Sequence, residues 1–171
     1  MAERSIFDRM KGAAMLDIAT YEEVEHDESL TTQAAIVVLI AAIARGVGGF
    51  NSGENGIIVG VVAALFSWLV WAGITYLIGD KILKGTATWG ELLRTLGYAQ
   101  APAVLFVFGF LPALGGVIGA IVGIWLLVTG IVAIRQALDV DTGKAILTAF
   151  LGWLVAVAIP VIVIGGALIE W

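Results

Sequence analysis

The 171-residue sequence has no cysteine and a single histidine, His26. Without thiols there is no disulfide, no thiolate nucleophile and no Cys-ligated zinc or iron–sulfur cluster. One imidazole excludes bis-histidine haem ligation and His-rich metal sites. Charge is scarce as well. Charged residues make up 13% of the chain and hydrophobic ones 60%, against about 25% and about 45–50% in an average soluble domain. So few charges cannot cover a globule, and the mean hydropathy of +1.02 requires a surface that meets lipid. A soluble enzyme and a disordered tail are poor fits, and no basic aromatic patch for nucleic acid is present. The sequence contains no G-x-S-x-G, Walker A or dinucleotide fingerprint. No nucleophile–base pair is visible, so no catalytic residue, cofactor or metal ligand is assigned and no enzyme activity is expected.

What the chain does have is long apolar runs. A membrane helix needs about 20 mostly apolar residues. Five segments qualify or nearly do: 31–50, 56–79, 96–111, 113–134 and 145–169. The third is short and holds Pro102, which leaves four spans with a re-entrant third segment as the alternative. Basic residues separate the two. With five spans, one side carries Arg4, Arg9, Lys11, Lys81, Lys84, Arg94, Arg135 and Lys144, and the other only Arg45. With four, Arg135 and Lys144 fall on the opposite side. The positive-inside bias favours five spans in the cytoplasmic membrane, with the N-terminus cytoplasmic and Trp171 outside. Residues 1–30 lack a basic stretch followed by an apolar one, so no cleavable signal peptide is expected. The expected fold class is all-α: an integral membrane five-helix bundle over 31–171, preceded by a cytoplasmic segment, 1–30, with a short amphipathic helix.

Within 1–30, Phe7, Met10, Ala14 and Ile18 recur at helical spacing. They predict a helix lying on the inner leaflet or docked under the bundle. Thr20-Tyr-Glu-Glu23 fits a capping box. Glu22, Glu23, Glu25, Asp27 and Glu28 surround His26. This cluster suits a basic partner or a divalent cation, but charge runs are most often solvated, and a solvated loop is the preferred reading. Thr88-Trp-Gly-Glu91 is a second capping box and predicts a helix from Trp89 toward Pro102, with Leu92, Leu93 and Leu96 on its apolar face. Pro102 should kink it on entering the bilayer. Tyr98, Gln100 and Pro102 then form a candidate notch beside a freed carbonyl, where the polar groups are expected mainly to satisfy one another. Asp139-Val-Asp141-Thr-Gly-Lys144 lacks the later ligands of a calcium loop and reads instead as a helix cap, with Asp141 or Thr142 at the N-cap.

Inside the spans the only ionisable residue is Arg45. It is a candidate intramembrane charge, expected to snorkel to the outer interface or to pair with Glu54 or Glu170. Membrane-centre Asp, Glu, His and Lys are lacking, which disfavours ion-coupled transport. Trp68, Trp71, Trp125 and Trp153 lie well inside their spans and are read as packing residues. Gly115, Gly119 and Gly123, four apart, form a small-residue ridge that lets another backbone approach. Gly56-xxx-Gly60-xxx-Ala64 is a weaker copy.

Taken together, the pattern resembles the Yip1 domain family, over about residues 16–169. The resemblance is carried by Leu16-Asp-x-x-Thr20-Tyr-Glu-Glu-Val-Glu with Thr32-Gln-Ala, and by Trp89-Gly-Glu-Leu-Leu-Arg-x-x-Gly-Tyr98-Ala-x-Ala-Pro102. Ile124-Trp-Leu-Leu and Arg135-Gln-Ala-Leu-Asp-Val-Asp-Thr-Gly-Lys-Ala145 complete it. The likeness is greatest to the bacterial or archaeal branch. It implies five helices and a cytoplasmic N-terminus. Eukaryotic members bind small GTPases, but this chain lacks their long N-terminal region and that role is not carried over. The expected function is a non-enzymatic scaffold or accessory subunit that binds the lipid bilayer and other membrane helices, in partner chains or in a homo-oligomer. The competing expectation is a small transporter, channel or lipid-handling protein working at the notch.

Overall fold

A computed structural model describes residues 4–49, 57–111 and 113–169, with side chains described as far as Val155. All regular structure among these residues is helical. The helices are α1 (Ile6–Ala14), α2 (Ile18–His26), α3 (Thr31–Gly48), α4 (Ile57–Tyr76), α5 (Trp89–Tyr98), α6 (Gly115–Ala137) and α7 (Thr142–Ile169). A π-helical turn, Leu77–Ile82, extends α4, and a 3-10 segment, Ala101–Phe110, continues α5.

The apolar runs of the sequence become the long helices, as burial of every backbone polar group in lipid requires. Three stretches are long and apolar enough to cross a membrane: Glu28–Gly48, Ile58–Ile82 and Gly115–Ala137. A fourth is the pair α5 plus the 3-10 segment, bent by 41°. The helix α7 is 28 residues long, and its described part, Thr142–Val155, is a shorter apolar helix. Many large apolar side chains on α4 and α6 face outward, among them Ile58, Val62, Phe66, Val117, Ile121, Ile124 and Leu127, as a lipid-facing surface demands.

The third segment rises alongside α3. Gly97 lies against Ala34, and Gly48 lies against Phe106 and Gly109. A methyl group at Gly97 would stand 2.8 Å from the Ala34 Cβ, and one at Gly48 would collide with the Phe106 carbonyl. The two backbones therefore touch near both ends, and the segment runs parallel to α3 from the level of its first turn to that of its last.

The N-terminal helices, the 83–88 loop and the 138–141 loop all meet at one end of the bundle. Thr86 N–H donates to the Leu138 carbonyl at 3.1 Å and its hydroxyl to Asp139 Oδ2 at 2.9 Å. Gln136 of α6 donates to Glu22 of α2. The Thr88–Glu91 capping box forms as its spacing predicts, and Asp141 Oδ1 accepts from Lys144 N–H at the start of α7.

The N-terminal segment departs from its sequence reading in three ways. Leu16 takes a left-handed conformation, φ 61°, and breaks the expected single face in two. Met10 and Ala13 then turn inward, while Phe7 and Met15 are about 70% exposed. Thr20 does not cap a helix: α2 has already begun at Ile18, and the buried Thr20 hydroxyl donates to Asp17 Oδ2 instead. The helix that does carry a capping box is α1, between Ser5 and Asp8.

Candidate functional site

The polar end of the bundle is a network built around α2. Glu23 leaves the backbone because two arginines compete for it. Arg4 Nη1 donates to Glu23 Oε2 at 2.8 Å, and Arg9 Nε to Oε1 at 2.8 Å. Arg9 is buried despite its charge. Its Nη1 also donates to Gln33 Oε1, which accepts from the buried Tyr98 hydroxyl at 3.0 Å as well. From the opposite side, Arg94 of α5 reaches the C-terminal turn of α2. Its Nε donates to the Val24 carbonyl at 2.8 Å, its Nη2 to the Glu25 carbonyl and its Nη1 to Thr31 Oγ1. Carbonyls of a last helical turn have no partner within the helix, and a cation there also complements the helix dipole. Arg94 is 4% exposed, so it serves as a buried C-cap supplied by another helix.

Asp27 and Glu28 at the end of the acidic run are exposed, but Glu22, Glu23 and Glu25 lie on α2 and not in a solvated loop. The helix is docked, with Glu25 inside. Burial, with the Glu22 carboxylate beside it, pushes the Glu25 carboxyl up to about 7. Tyr21 and Val24 are fully buried on the same helix, and the Tyr21 hydroxyl donates to the Ala13 carbonyl at 3.0 Å. An open cleft of about 410 Å³ lies at the junction of α6 and α7, lined by Arg135, Gln136, Asp139 and Asp141.

Within the bundle, the expected kink near Pro102 is present, a bend of 41° between Tyr98 and Ala101. The α-helix ends at Tyr98 and the chain tightens into 3-10 geometry, with Ala103 N–H bonding the Gln100 carbonyl at 2.9 Å. This leaves the Ala99 carbonyl without its α-helical donor. Thr129 of α6 supplies one, its hydroxyl lying 2.9 Å away. Tyr98 and Gln100 do not satisfy one another. Tyr98 belongs to the Arg9–Gln33 network, while Gln100 Oε1 accepts from Arg45 Nη2 at 3.0 Å. Arg45 is exposed and its guanidinium reaches the break in the third segment. Its guanidinium also lies 5.3 Å from the centre of the Phe106 ring. Glu54 and Glu170, its expected counter-charges, lie outside the described residues. Gln100 further lines a largely apolar cavity of about 140 Å³ with Trp71, Leu96, Leu126, Gly130 and Ile134.

Trp68 and Trp125 pack between helices as expected, whereas Trp153 is exposed and meets a ring of its own helix. Trp68 Nε1 donates to the Leu93 carbonyl at 3.0 Å and Trp125 Nε1 to the Ala14 carbonyl at 2.7 Å. Trp153 stacks on Phe150, ring centres 6.2 Å apart.

Of the glycine ridge, only Gly115 touches its own chain, against the Gly109 carbonyl. A methyl group at Gly119 or Gly123 would meet nothing within 4 Å among the described residues, and the same holds at Gly116 and Gly60. Gly56 lies outside the described residues.

Sequence reasoning missed Arg94, Thr129, Gln33 and Gln136. Each acts on a group distant in sequence, so no local spacing marks it.

Compared with known protein families, the chain matches the Yip1 domain over residues 18–165. No curated protein and no solved structure matches it.

Proposed function

The chain belongs to the Yip1 domain family, and from that membership and the glycine face of α6 we propose that it is a non-enzymatic membrane scaffold or accessory subunit binding other membrane helices and lipid. The observation that carries this reading is that nothing among the described residues lies within 4 Å of a methyl group placed at Gly119 or Gly123. Between helices in lipid there is no hydrophobic drive, so association depends on close backbone approach. A glycine face that none of the described residues covers has room for a second helix. The same reading places the chain in the cytoplasmic membrane with five spans and its N-terminus inside. Eight of nine basic residues at one end and the parallel course of α3 and the third segment support that arrangement.

Native mass measurement after gentle detergent extraction tests the proposal. Stoichiometric partner chains, or a homo-oligomer, are expected. Gly119→Leu should dissociate that complex while leaving the melting temperature of the single chain unchanged. Overpacking costs on the order of 1–3 kcal/mol, enough to weaken association about 5- to 150-fold. A lone chain with and without the substitution would mean that the ridge faces lipid. A second reading, lipid handling, is favoured by the apolar cavity at Gln100. It predicts a lone chain that retains a lipid, lost on filling the cavity with Gly130→Leu.

A further inference from the structure

Glu22, Glu25 and His26 stand three and four residues apart on α2, the spacing that stacks side chains on one helical face. One carboxylate oxygen of each glutamate and one ring nitrogen of His26 all lie within 4.8 Å of one another. Donors at about 2.0–2.2 Å from a zinc-sized ion sit at most roughly 4.4 Å apart. A small rotation of the exposed His26 ring closes the difference.

One observation points to a ligand, and a second shows how the site is oriented. Glu25 is 6% exposed, and its Oε2 has no hydrogen-bond partner among the described residues. A buried carboxylate oxygen without a donor is strongly unfavourable, and Glu22, Asp139 and Glu91 add negative charge around it. The nearby buried cation, Arg94, directs its donors to backbone carbonyls and Thr31 rather than to this carboxylate. The second observation is the orientation of His26. Its Nδ1 lies 2.9 Å from the Glu22 carbonyl, which can only accept, so Nδ1 carries a proton and Nε2 is the nitrogen left to bind an ion when the ring is neutral. Metal-binding imidazoles are oriented by such a bond from the other nitrogen. Glu22 is itself held by Gln136 of α6.

We propose that Glu22, Glu25 and His26 form a site for a divalent first-row cation of the Zn²⁺ or Mn²⁺ class. Two carboxylates with one imidazole suit these ions, whereas Ca²⁺ and Mg²⁺ prefer oxygen donors alone. The ion supplies the missing partner of Glu25 and offsets the repulsion among the carboxylates. Through Glu22 and Gln136 it ties α2 to α6, so its binding holds the N-terminal helices on the bundle.

The full chain, purified in detergent and stripped with a chelator, is titrated with Zn²⁺ and, separately, Mn²⁺ by calorimetry, and its melting temperature is followed. One saturable site and a rise in melting temperature are expected. Glu25→Gln, neutral and nearly isosteric, should abolish binding without unfolding the chain. His26→Ala, at an exposed position, should weaken binding at least about tenfold. Glu28→Gln, exposed and outside the cluster, should bind like the parent. Absence of saturable binding for both ions overturns the proposal. So does binding that survives both Glu25→Gln and His26→Ala.

Discussion

Arg45 shows how one intramembrane charge is kept without a carboxylate partner among the described residues. Its guanidinium is held by the Gln100 amide oxygen and by the face of Phe106. Interhelical hydrogen bonds in membranes average about 0.6 kcal/mol, and a cation–π contact at an exposed site contributes about 0.5–1 kcal/mol. Arg45→Leu should therefore lower stability by about 1 kcal/mol. Arg45→Lys should recover only part of that, because a lysine cannot lie flat on a ring and donate in a fork at once. A double-mutant cycle with Gln100→Leu, read by denaturant unfolding in detergent, should show coupling of about 0.6 kcal/mol. Zero coupling would mean that Arg45 snorkels after all. Glu23 is the opposite case, a single carboxylate serving Arg4 and the buried Arg9. Glu23→Ala leaves Arg9 uncompensated and should cost about 3–5 kcal/mol, measured in the same unfolding assay.

At the scale of elements, the long helices were legible because apolar runs of about 20 residues have few alternatives. The Thr88–Glu91 box and the Asp141 cap were legible because their partners lie three residues away. The docking of α2 was not. It depends on Arg94 reaching backbone carbonyls 69 and 70 residues distant, and a lone arginine in a capping helix gives no hint of that. Thr129 was hidden for the same reason, because the carbonyl it serves exists only once Pro102 has shifted the third segment into 3-10 geometry. Thr129→Val keeps the shape and removes the hydroxyl, leaving the Ala99 carbonyl orphaned. A loss of about 1–3 kcal/mol is expected from a buried acceptor without a donor, read as a lower melting temperature. The N-terminal helices carry a pH dependence of their own. The Ser5 hydroxyl and amide hold the Asp8 carboxyl below its usual range, and the Thr20 hydroxyl does the same for Asp17. Folded-state values depressed in this way contribute stability above about pH 3.8, lost as pH falls through the folded values. A fluorophore on Lys11→Cys, the one thiol in the chain, should report release of α1 below pH 4 while far-UV helicity from the long helices persists. Retention of its signal to pH 2 would refute this.

At the scale of the molecule, the five-span arrangement turns on the short turn between the 3-10 segment and α6. The third segment begins beside Ala34 at the polar end, where the N-terminal helices and the 83–88 and 138–141 loops meet, and it reaches the level of Gly48. A re-entrant segment would have to return to the level from which it started, and its partner contacts would then gather at one end of α3. They are found near both ends. The turn at Ala113 should therefore lie on the far side of the membrane from Lys84 and Thr142. All three positions are exposed, and the absence of native cysteine makes single-cysteine labelling unambiguous. In intact cells, a membrane-impermeant maleimide should label Ala113→Cys and leave Lys84→Cys and Thr142→Cys unlabelled until the membrane is permeabilised. Labelling of Lys84→Cys and Thr142→Cys but not Ala113→Cys would invert the proposed orientation while keeping the number of spans. Protection of Lys84→Cys and Ala113→Cys, with labelling of Thr142→Cys before permeabilisation, would place the turn on the cytoplasmic side and reduce the count to four, because a third segment that fails to cross leaves Ala113 beside Lys84 and sends Thr142 to the opposite side.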